Sequence, residues 1–373
     1  MNKLLEKRML ALLNRRKAQN AFRVVRSQSH LIDFCSNDYL SLARSEELQI
    51  ETKKQYKNQL SGATGSRLLS GHYDLLERLE NQLAIFHRAE SALVFNSGYN
   101  ANLGLISTIP RRSDVILYDE LIHASIHDGI RLSPATPLSF AHNDLSELEH
   151  LLSKHLGKNI FVLVESIYSM DGDAAPLVQI QELCQKYDAN LIVDEAHSTG
   201  IYGSHGAGLC VELGIEQFVF ARVHTFGKAI GTHGAAIVGS QLLKEYLINY
   251  ARPLIYTTAL SPHTVQSTLV AYQFLEQEGK HSIQRLNERI AYFRKLILKQ
   301  NKYTYIQSTS PIQCLIVPGN EAVSQLALSL QNAGYDVRPI RTPTVPMGKE
   351  RIRICLHCHN SLEEIKQLIE LIL

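Results

Sequence analysis

Lys228 lies in the run His224-Thr225-Phe226-Gly227-Lys228-Ala229-Ile230-Gly231, and some thirty residues earlier Leu191-Ile192-Val193-Asp194-Glu195-Ala196-His197 ends an apolar run with an acid and a histidine. A lysine amine can form an imine with a carbonyl, and a buried carboxylate keeps a nearby heteroaromatic nitrogen protonated by favouring its charged form. An imine-forming lysine set among glycines, with an acid at a strand end and a histidine three residues on, is the socket of pyridoxal phosphate. Taken singly, a lysine is usually a solvated surface charge and Asp-x-x-His a turn or a helix cap. The conjunction and the order carry the reading.

Each residue then has a task. Lys228 is both covalent anchor and, once displaced by a substrate amine, a base beside the substrate's alpha carbon. Asp194 faces the ring nitrogen and His197 the phenolic oxygen. Thr225 puts a hydroxyl near the phosphate, and Gly227 and Gly231 let backbone approach closely. Upstream, Ala92-Leu93-Val94-Phe95-Asn96-Ser97-Gly98-Tyr99-Asn100-Ala101-Asn102 reads as an apolar strand, a glycine turn and a helix start, so Gly98 and Tyr99 are the phosphate candidates. His123 follows the apolar strand of residues 114–119 and can stack on the pyridine face, although with 16 histidines in the chain a chance histidine at a helix start is the competing reading. Ser169, in Glu165-Ser166-Ile167-Tyr168-Ser169-Met170-Asp171-Gly172-Asp173, follows the apolar run Phe161 to Val164 and adds a second hydroxyl.

Ser36-Asn37-Asp38-Tyr39-Leu40, the Gly62 to Gly71 loop, Ser169-Met170-Asp171-Gly172-Asp173, residues 194–200 and Thr225-Phe226-Gly227-Lys228 together resemble the alpha-oxoamine synthases, in that family's order and over nearly the whole chain. The resemblance implies a fold type I pyridoxal phosphate transferase, with a mainly parallel seven-stranded sheet and a smaller C-terminal α+β domain. It also implies an acyltransferase that joins an amino acid to an acyl thioester with loss of carbon dioxide. In that family's pattern His123 stacks on the cofactor, Asp194 pairs with its nitrogen, His197 and Ser169 hold its oxygen and Lys228 binds it covalently. Gly98, Tyr99 and Thr225 serve the phosphate, joined by Thr258 from the neighbouring subunit of a homodimer whose active site lies at the interface.

Residues 340–348, with their paired prolines, resemble the branch that takes L-alanine and a pimeloyl thioester, carried on coenzyme A or on acyl carrier protein. Glycine- or serine-using members with other acyl groups are the alternative. On this resemblance Arg23 and Thr344 contact substrate, Arg353 holds the amino acid's carboxylate and Asn37 assists. Two stretches depart from the pattern: Arg67 and Leu68 stand where some members have smaller residues, and Thr232-His233 precedes Gly234.

The elements that must position these groups alternate. Leu93 to Phe95, Val115 to Tyr118, Phe161 to Val164, Leu191 to Val193 and Ala235 to Val238 read as strands, with helices such as Leu145 to His155 between them. Alternation of this kind predicts an α/β fold with a mainly parallel sheet covered by helices. Beyond Pro262 the pattern predicts two helical stretches, then a strand at Ile312 to Val317, a helix around Ala322 to Asn332, strands at Tyr335 to Pro339 and from Arg351, and a final helix. We divide the chain into an N-terminal helix and arm (1–45), a large cofactor-binding domain (46–262) and a small C-terminal domain (263–373).

With 373 residues, 45% hydrophobic and 20% charged, the chain can bury a large core. A net charge of +2 gives no reason to expect nucleic acid, while a local basic patch can receive an anionic thioester carrier. No stretch reaches membrane-spanning length and no signal-peptide core is present, so the expected compartment is the cytoplasm. Met1 to Arg26 is basic, with Leu4, Leu5, Met9, Leu12 and Leu13 at roughly helical spacing, and reads as a helix packed on its own protein or a dimer partner in preference to a membrane. Six scattered cysteines fit reduced thiols. Cys355-Leu356-His357-Cys358-His359 matches the c-type haem pattern, but it follows an alternating strand, and no metal is expected. A non-catalytic protein that kept this fold is the rival from another class, and the joint presence of Lys228, Asp194, His123 and His197 argues against it.

Overall fold

The computed structural model describes residues 3–25, 30–57, 60–299 and 301–373. Met1 and Arg26, the ends of the basic amino-terminal stretch, lie outside the described residues. The chain clusters into two units: residues 37–169 with 174–285, and residues 1–36 with 170–173 and 286–373.

The larger unit is built on seven strands: β1 (Ser91–Phe95), β2 (Val115–Asp119), β3 (Thr136–Phe140), β4 (Ile160–Glu165), β5 (Asn190–Asp194), β6 (Ala221–Thr225) and β7 (Ala235–Gly239). They pair in the order β1-β7-β6-β5-β4-β2-β3. Only β7 runs against its neighbours, pairing antiparallel with both β1 and β6, so the other six strands end at one edge. Runs such as Ile160-Phe161-Val162-Leu163-Val164 are buried at every position, as expected for strands covered on both faces. Leu93, Phe95, Ile116, Leu163, Ile192, Val223 and Ile237 join one core with Leu105, Ile126 and Ile130 from the flanking helices. The helices Gly98–Thr108 and Ala124–Leu132 meet at Gly129, where a side-chain Cβ would lie 2.9 Å from the Cβ of Ile106. Glycine there is what lets the two helices close.

Two of these strands are absent from the sequence reading. β3 carries Pro137, which a sheet tolerates at its edge, and β3 is one of the two edge strands. β6 buries Arg222 and His224, polar residues that obscure an apolar run. The two helical stretches expected after Pro262 are a single helix of 36 residues, Pro262–Ile297. Gly279 and its polar neighbours imitate a break, yet a helix absorbs one glycine for about 1 kcal/mol, and buried Val265, Leu269, Tyr272, Leu286, Ile290 and Phe293 carry the helical spacing through.

In the smaller unit, β8 (Thr304–Ile306), β9 (Ile312–Ile316), β10 (Arg338–Ile340) and β11 (Arg351–Cys355) form an antiparallel sheet in the order β10-β11-β9-β8. Helices Asn320–Asn332 and Leu362–Ile372 belong to it, the second opened by a capping box between Ser361 and Glu364. Residues 170–173 cluster here too: Arg351 pairs with Asp171 and donates to the Met170 carbonyl, and Ser308 Oγ donates to the Gly172 carbonyl at 2.7 Å. The amino-terminal helix Lys3–Ala18 has no buried residue. No described helix is long and apolar enough to cross a membrane.

Candidate active site

The common edge of the six co-directional strands collects the chemistry. Asp119 ends β2, Glu165 ends β4, Asp194 ends β5 and Thr225 ends β6. Ligands of open α/β sheets bind in the crevice outside such carboxyl ends. Glu165 stands opposite Asp194 in the β4–β5 register.

Lys228 sits just beyond β6, half-buried, in a loop held at both sides. Phe226 N donates to the Gly234 carbonyl at 2.9 Å, Thr232 N to the Phe226 carbonyl at 2.9 Å, and Gly231 N to the Lys228 carbonyl at 2.8 Å. Gly231 adopts a φ of 70°, and a Cβ there would collide with the backbone at Ala43, so this turn requires glycine. Gly227 differs: the nearest atom to a Cβ would be the Thr232 carbonyl oxygen at 3.8 Å, so close backbone approach is not its reason.

The lysine Nζ lies 2.7 Å from His197 Nε2, and His197 Nδ1 lies 2.8 Å from the Tyr39 hydroxyl. Tyr39 donates its own proton to Asn37 Oδ1 at 3.0 Å. The tyrosine oxygen is therefore left to accept from His197 Nδ1–H, which makes Nε2 the lone-pair side facing the lysine. Tyr39 is wholly buried, and His197 is buried beside it.

A second chain of bonds fixes Asp194 and His123. Asn102 Nδ2 donates to Asp194 Oδ2 at 2.7 Å and to Ser125 Oγ at 3.0 Å, and Ala196 N donates to Asp194 Oδ1 at 2.9 Å. Ser125 Oγ lies 2.7 Å from His123 Nδ1, which also accepts from Ser125 N as the cap of helix Ala124–Leu132. His123 thus uses Nδ1 as acceptor and carries its proton on Nε2. Ser169 and Thr225 are buried, and Thr225 Oγ1 donates to the Gly234 carbonyl at 3.3 Å. Gly98 and Tyr99 open helix Gly98–Thr108 behind the cap Ser97, so their amides have no intrahelical acceptor. The Tyr99 hydroxyl donates to Asp128.

The residues present fit pyridoxal phosphate. An amine, a carboxylate whose two oxygens are held by donors, an imidazole and a helix start with two unclaimed amides are the groups the cofactor needs at its carbonyl, ring nitrogen, phenolic oxygen and phosphate. Tyr39, Asn102, Ser125 and Glu165 were not singled out in the sequence. Asn102 and Tyr39 do stand inside quoted motifs, and Asn102 is a buried amide on a helix whose neighbours Ala101 and Leu105 are apolar.

Thr258 is exposed and pairs with Ser66 in an isolated antiparallel bridge, next to the Ala259 N to Gly65 carbonyl bond. In the smaller unit Arg23 donates to Thr344 Oγ1 at 3.2 Å, and both Arg23 and Arg341 line a cavity of about 600 Å³ with Phe22, Val24, Leu328 and Arg338. Arg353 Nη1 lies 2.9 Å from Cys355 Sγ.

Among the described residues one group has metal-ligand spacing: Asp33, His357 and His359, with ligand atoms within 4.8 Å of one another. His357, however, directs Nδ1 at Asn360 Oδ1 (3.0 Å) and Nε2 at the Ser36 carbonyl (3.0 Å), and both are acceptors. Both ring nitrogens of His357 are thus engaged by polar partners within the protein. Cys355 and Cys358 are buried and all six cysteines are unbridged.

Residues 29–372 match the model of the aminotransferase class I and II family. The chain belongs to that family, whose fold type I pyridoxal phosphate enzymes have this α/β sheet. Over 370 residues it is 42% identical to the 8-amino-7-oxononanoate synthase of Emericella nidulans, covering 92% of this chain and 89% of that one. Among solved structures it is similar to the 8-amino-7-oxononanoate synthase of Francisella tularensis (TM-score 0.78, 30% identity, 92% and 96% of the two chains). It is also similar to a serine palmitoyltransferase from S. paucimobilis with a bound PLP–myriocin aldimine (TM-score 0.90, 25% identity, 99% and 97%).

Proposed function

We infer that this chain is an acyltransferase that condenses L-alanine with a pimeloyl thioester, releasing carbon dioxide and the thiol and giving 8-amino-7-oxononanoate for biotin synthesis. The observation that carries the chemistry is the 2.7 Å approach of Lys228 Nζ to His197 Nε2 beyond the strand that ends in Asp194. The 42% identity to a relative of that name supports the choice of substrates.

When bound, pyridoxal phosphate supplies a carbonyl carbon that takes up an amine and a protonated ring that draws electrons from the alpha carbon. Asp194, its two oxygens held by Asn102 and Ala196, keeps the ring nitrogen's proton in place. His123 would stack on the ring, His197 and Ser169 would meet the phenolic oxygen, and Gly98, Tyr99 and Thr225 would receive the phosphate. Lys228 would hold the cofactor through its amine and, once that amine is free, would take the alpha proton of alanine and return one later. Arg353 and Asn37 hold the amino acid's carboxylate until it leaves as carbon dioxide. Arg23 and Thr344 contact the acyl substrate, and the arginine-lined cavity beside them suits an anionic carrier, coenzyme A or acyl carrier protein.

The proposal includes a homodimer in which Thr258 reaches the phosphate of the neighbouring subunit, a reading its exposure supports. It also includes a cytoplasmic location, supported by the six unbridged cysteines. A serine-using reaction is the second reading, favoured by the likeness to serine palmitoyltransferase. The test is parallel titration of the holoenzyme with L-alanine, glycine and L-serine, followed by pimeloyl-CoA or pimeloyl acyl carrier protein, with visible absorbance and carbon dioxide release recorded. Release with alanine alone is expected. Release with serine or glycine instead moves the function within the family, and no visible cofactor band at all removes the enzyme reading.

A further inference from the structure

Glu350 is 2% exposed, stands at the threshold of β11 and has no part in the chemistry above. Its carboxylate gathers three donors. Oε2 accepts from Gly319 N and Gly348 N, both at 2.9 Å, and Oε1 accepts from the Thr342 hydroxyl at 2.7 Å. Its own carbonyl accepts from Val317 N at 2.7 Å, where the chain enters the ladder with β9. Burial opposes the charge, yet the donors outweigh it and hold the carboxyl below its ordinary range.

These donors come from places that no regular element joins. Residues 341–350 connect β10 to β11 outside any helix or strand, and Gly319 caps helix Asn320–Asn332. Asn320 adds a further tie, accepting from Thr342 N with Oδ1 at 3.0 Å while its Nδ2 donates to the Gln19 carbonyl at 2.7 Å. Inside the loop, Thr344 N donates to the Arg341 carbonyl at 2.8 Å, and the Thr344 hydroxyl receives Arg23. Thr342, Pro343 and Met347 line a cavity of about 820 Å³, and Arg341 lines the one of about 600 Å³ that also holds Arg23. The shape of this loop therefore sets one wall of each.

We propose that Glu350 is a positioning residue for the acyl thioester: its carboxylate pins both ends of the 342–348 loop to the turn at Gly319 and so fixes where Thr344 and Arg23 meet that substrate. The inference rests on the reading of Thr344 and Arg23 as acyl-substrate contacts. The plainer role is a cap on a surface loop, since Gly348 is only two residues away. The Gly319 amide, 31 positions earlier, and the Thr342 hydroxyl at the far end of the loop are bonds that a local cap does not explain. Glutamine preserves the arrangement: its oxygen takes both glycine amides and its amide donates to the Thr342 hydroxyl, which keeps its own bond to the Val345 carbonyl at 3.3 Å. Leucine keeps the volume and removes every acceptor.

The test compares wild type, E350Q, E350L and T342V as holoenzymes. Steady-state kinetics give KM for the thioester that wild type turns over, pimeloyl-CoA or pimeloyl acyl carrier protein. Titration of the visible band with L-alanine gives half-saturation for the amino acid alone, and amide hydrogen exchange is read at Gly319 and Gly348. E350L is expected to raise the thioester KM about fivefold or more, to leave alanine half-saturation within about twofold and to speed exchange at both glycines. E350Q is expected to match wild type in all three. T342V removes only the bond to Oε1 and should raise the thioester KM about twofold, with exchange at Gly319 unchanged; it carries the test if E350L does not fold. A thioester KM unchanged in T342V and in any folded E350L overturns the proposal. So does a rise in alanine half-saturation as large as the rise in KM, which would mean general damage to the fold. An E350Q that behaves like E350L overturns it too, because negative charge would then be the requirement. No carbon dioxide from wild type with either thioester overturns the substrate reading and this inference with it, whereas normal wild-type turnover with silent variants removes only the role of Glu350.

Discussion

His197 Nε2 faces Lys228 Nζ at 2.7 Å with its lone pair, because Nδ1 has committed its hydrogen to Tyr39. The lysine amine is thereby held at the strand edge beside Asp194 before any ligand arrives. Lys228→Ala should abolish the covalent link. Borohydride reduction of the wild-type holoenzyme should leave the cofactor's mass on the peptide containing Lys228 and on no other. The variant should carry no such adduct and lose at least ~10³-fold in kcat, on the scale of other covalent and acid–base groups.

Tyr39 acts one bond further out. Tyr39→Phe keeps the buried ring and removes the oxygen that accepts from His197 Nδ1, freeing the imidazole to put its hydrogen on Nε2 instead. We expect a drop of about 10-fold in kcat with little change in KM for the amino acid, from a lost hydrogen bond of about 1 to 1.5 kcal/mol. Steady-state kinetics with a parallel thermal melt decides it: equal losses in folding and activity would assign Tyr39 to packing alone.

These partners explain what the sequence made legible and what it did not. Lys228, Asp194 and His197 stand out because covalent and ionic chemistry accepts few residue types, and because apolar runs point to where they fall. Tyr39 and Asn102 orient those groups across 158 and 92 residues of chain, and such separations have no local signature. The alternation of strands and helices was legible for the same reason the core is apolar. β6 escaped because Arg222 is buried with Nη2 donating to the carbonyl of His87, a tertiary contact invisible in Ala-Arg-Val-His-Thr. Gly279, inside the single helix that stands where two stretches were expected, is a close approach, with a Cβ there 3.1 Å from the His205 carbonyl oxygen.

Asp194→Asn tests the pairing with the ring nitrogen. The amide can still bond to Asn102 or Ala196, but it no longer carries the negative charge that favours a protonated pyridine. A fall of at least ~10²-fold in kcat is expected from the lost electrostatic stabilisation, with the cofactor still bound. Retention of most activity would mean that the ring nitrogen's proton is not held by this residue.

His87 and His224 stack at 3.7 Å between ring centroids in the core, fully buried. Burial lowers the pKa of His87 from 6.5 to about 3 and that of His224 well below its ordinary value. Both are neutral bases in the fold and free to charge in the unfolded chain, so the unfolded state binds more protons at any pH between the folded and unfolded values. Stability must therefore fall as pH drops below about 6.5 and continue falling toward pH 3, by about 1 kcal/mol per pH unit for each histidine. Thermal midpoints from pH 7.5 to 4.5 should decline less steeply in H87Q, which retains hydrogen-bonding capacity for the Ala207 carbonyl and the Tyr272 hydroxyl but cannot take the proton. A slope unchanged in H87Q would place the acid sensitivity elsewhere.

Glu80 is 2% exposed and meets two cations, Arg67 through Oε1 and Lys244 through Oε2 at 2.9 Å, while Oε1 also accepts from Val94 N at 2.8 Å. Arg67, itself only 9% exposed in its side chain, belongs to the glycine-rich loop that pairs with the Thr258 segment. Removing the acid leaves a buried guanidinium and a strand amide unanswered, and a broken buried pair costs about 3 to 5 kcal/mol. Glu80→Ala should therefore lower the chemical denaturation free energy by that amount. The double variant Glu80→Leu with Arg67→Met should cost clearly less than Glu80→Ala, because the buried guanidinium goes with the acid and only the partly exposed Lys244 loses a partner. If the double variant is the less stable of the two, the group stabilises the fold through its net attraction, and the loop's hold on the Thr258 segment depends on charge.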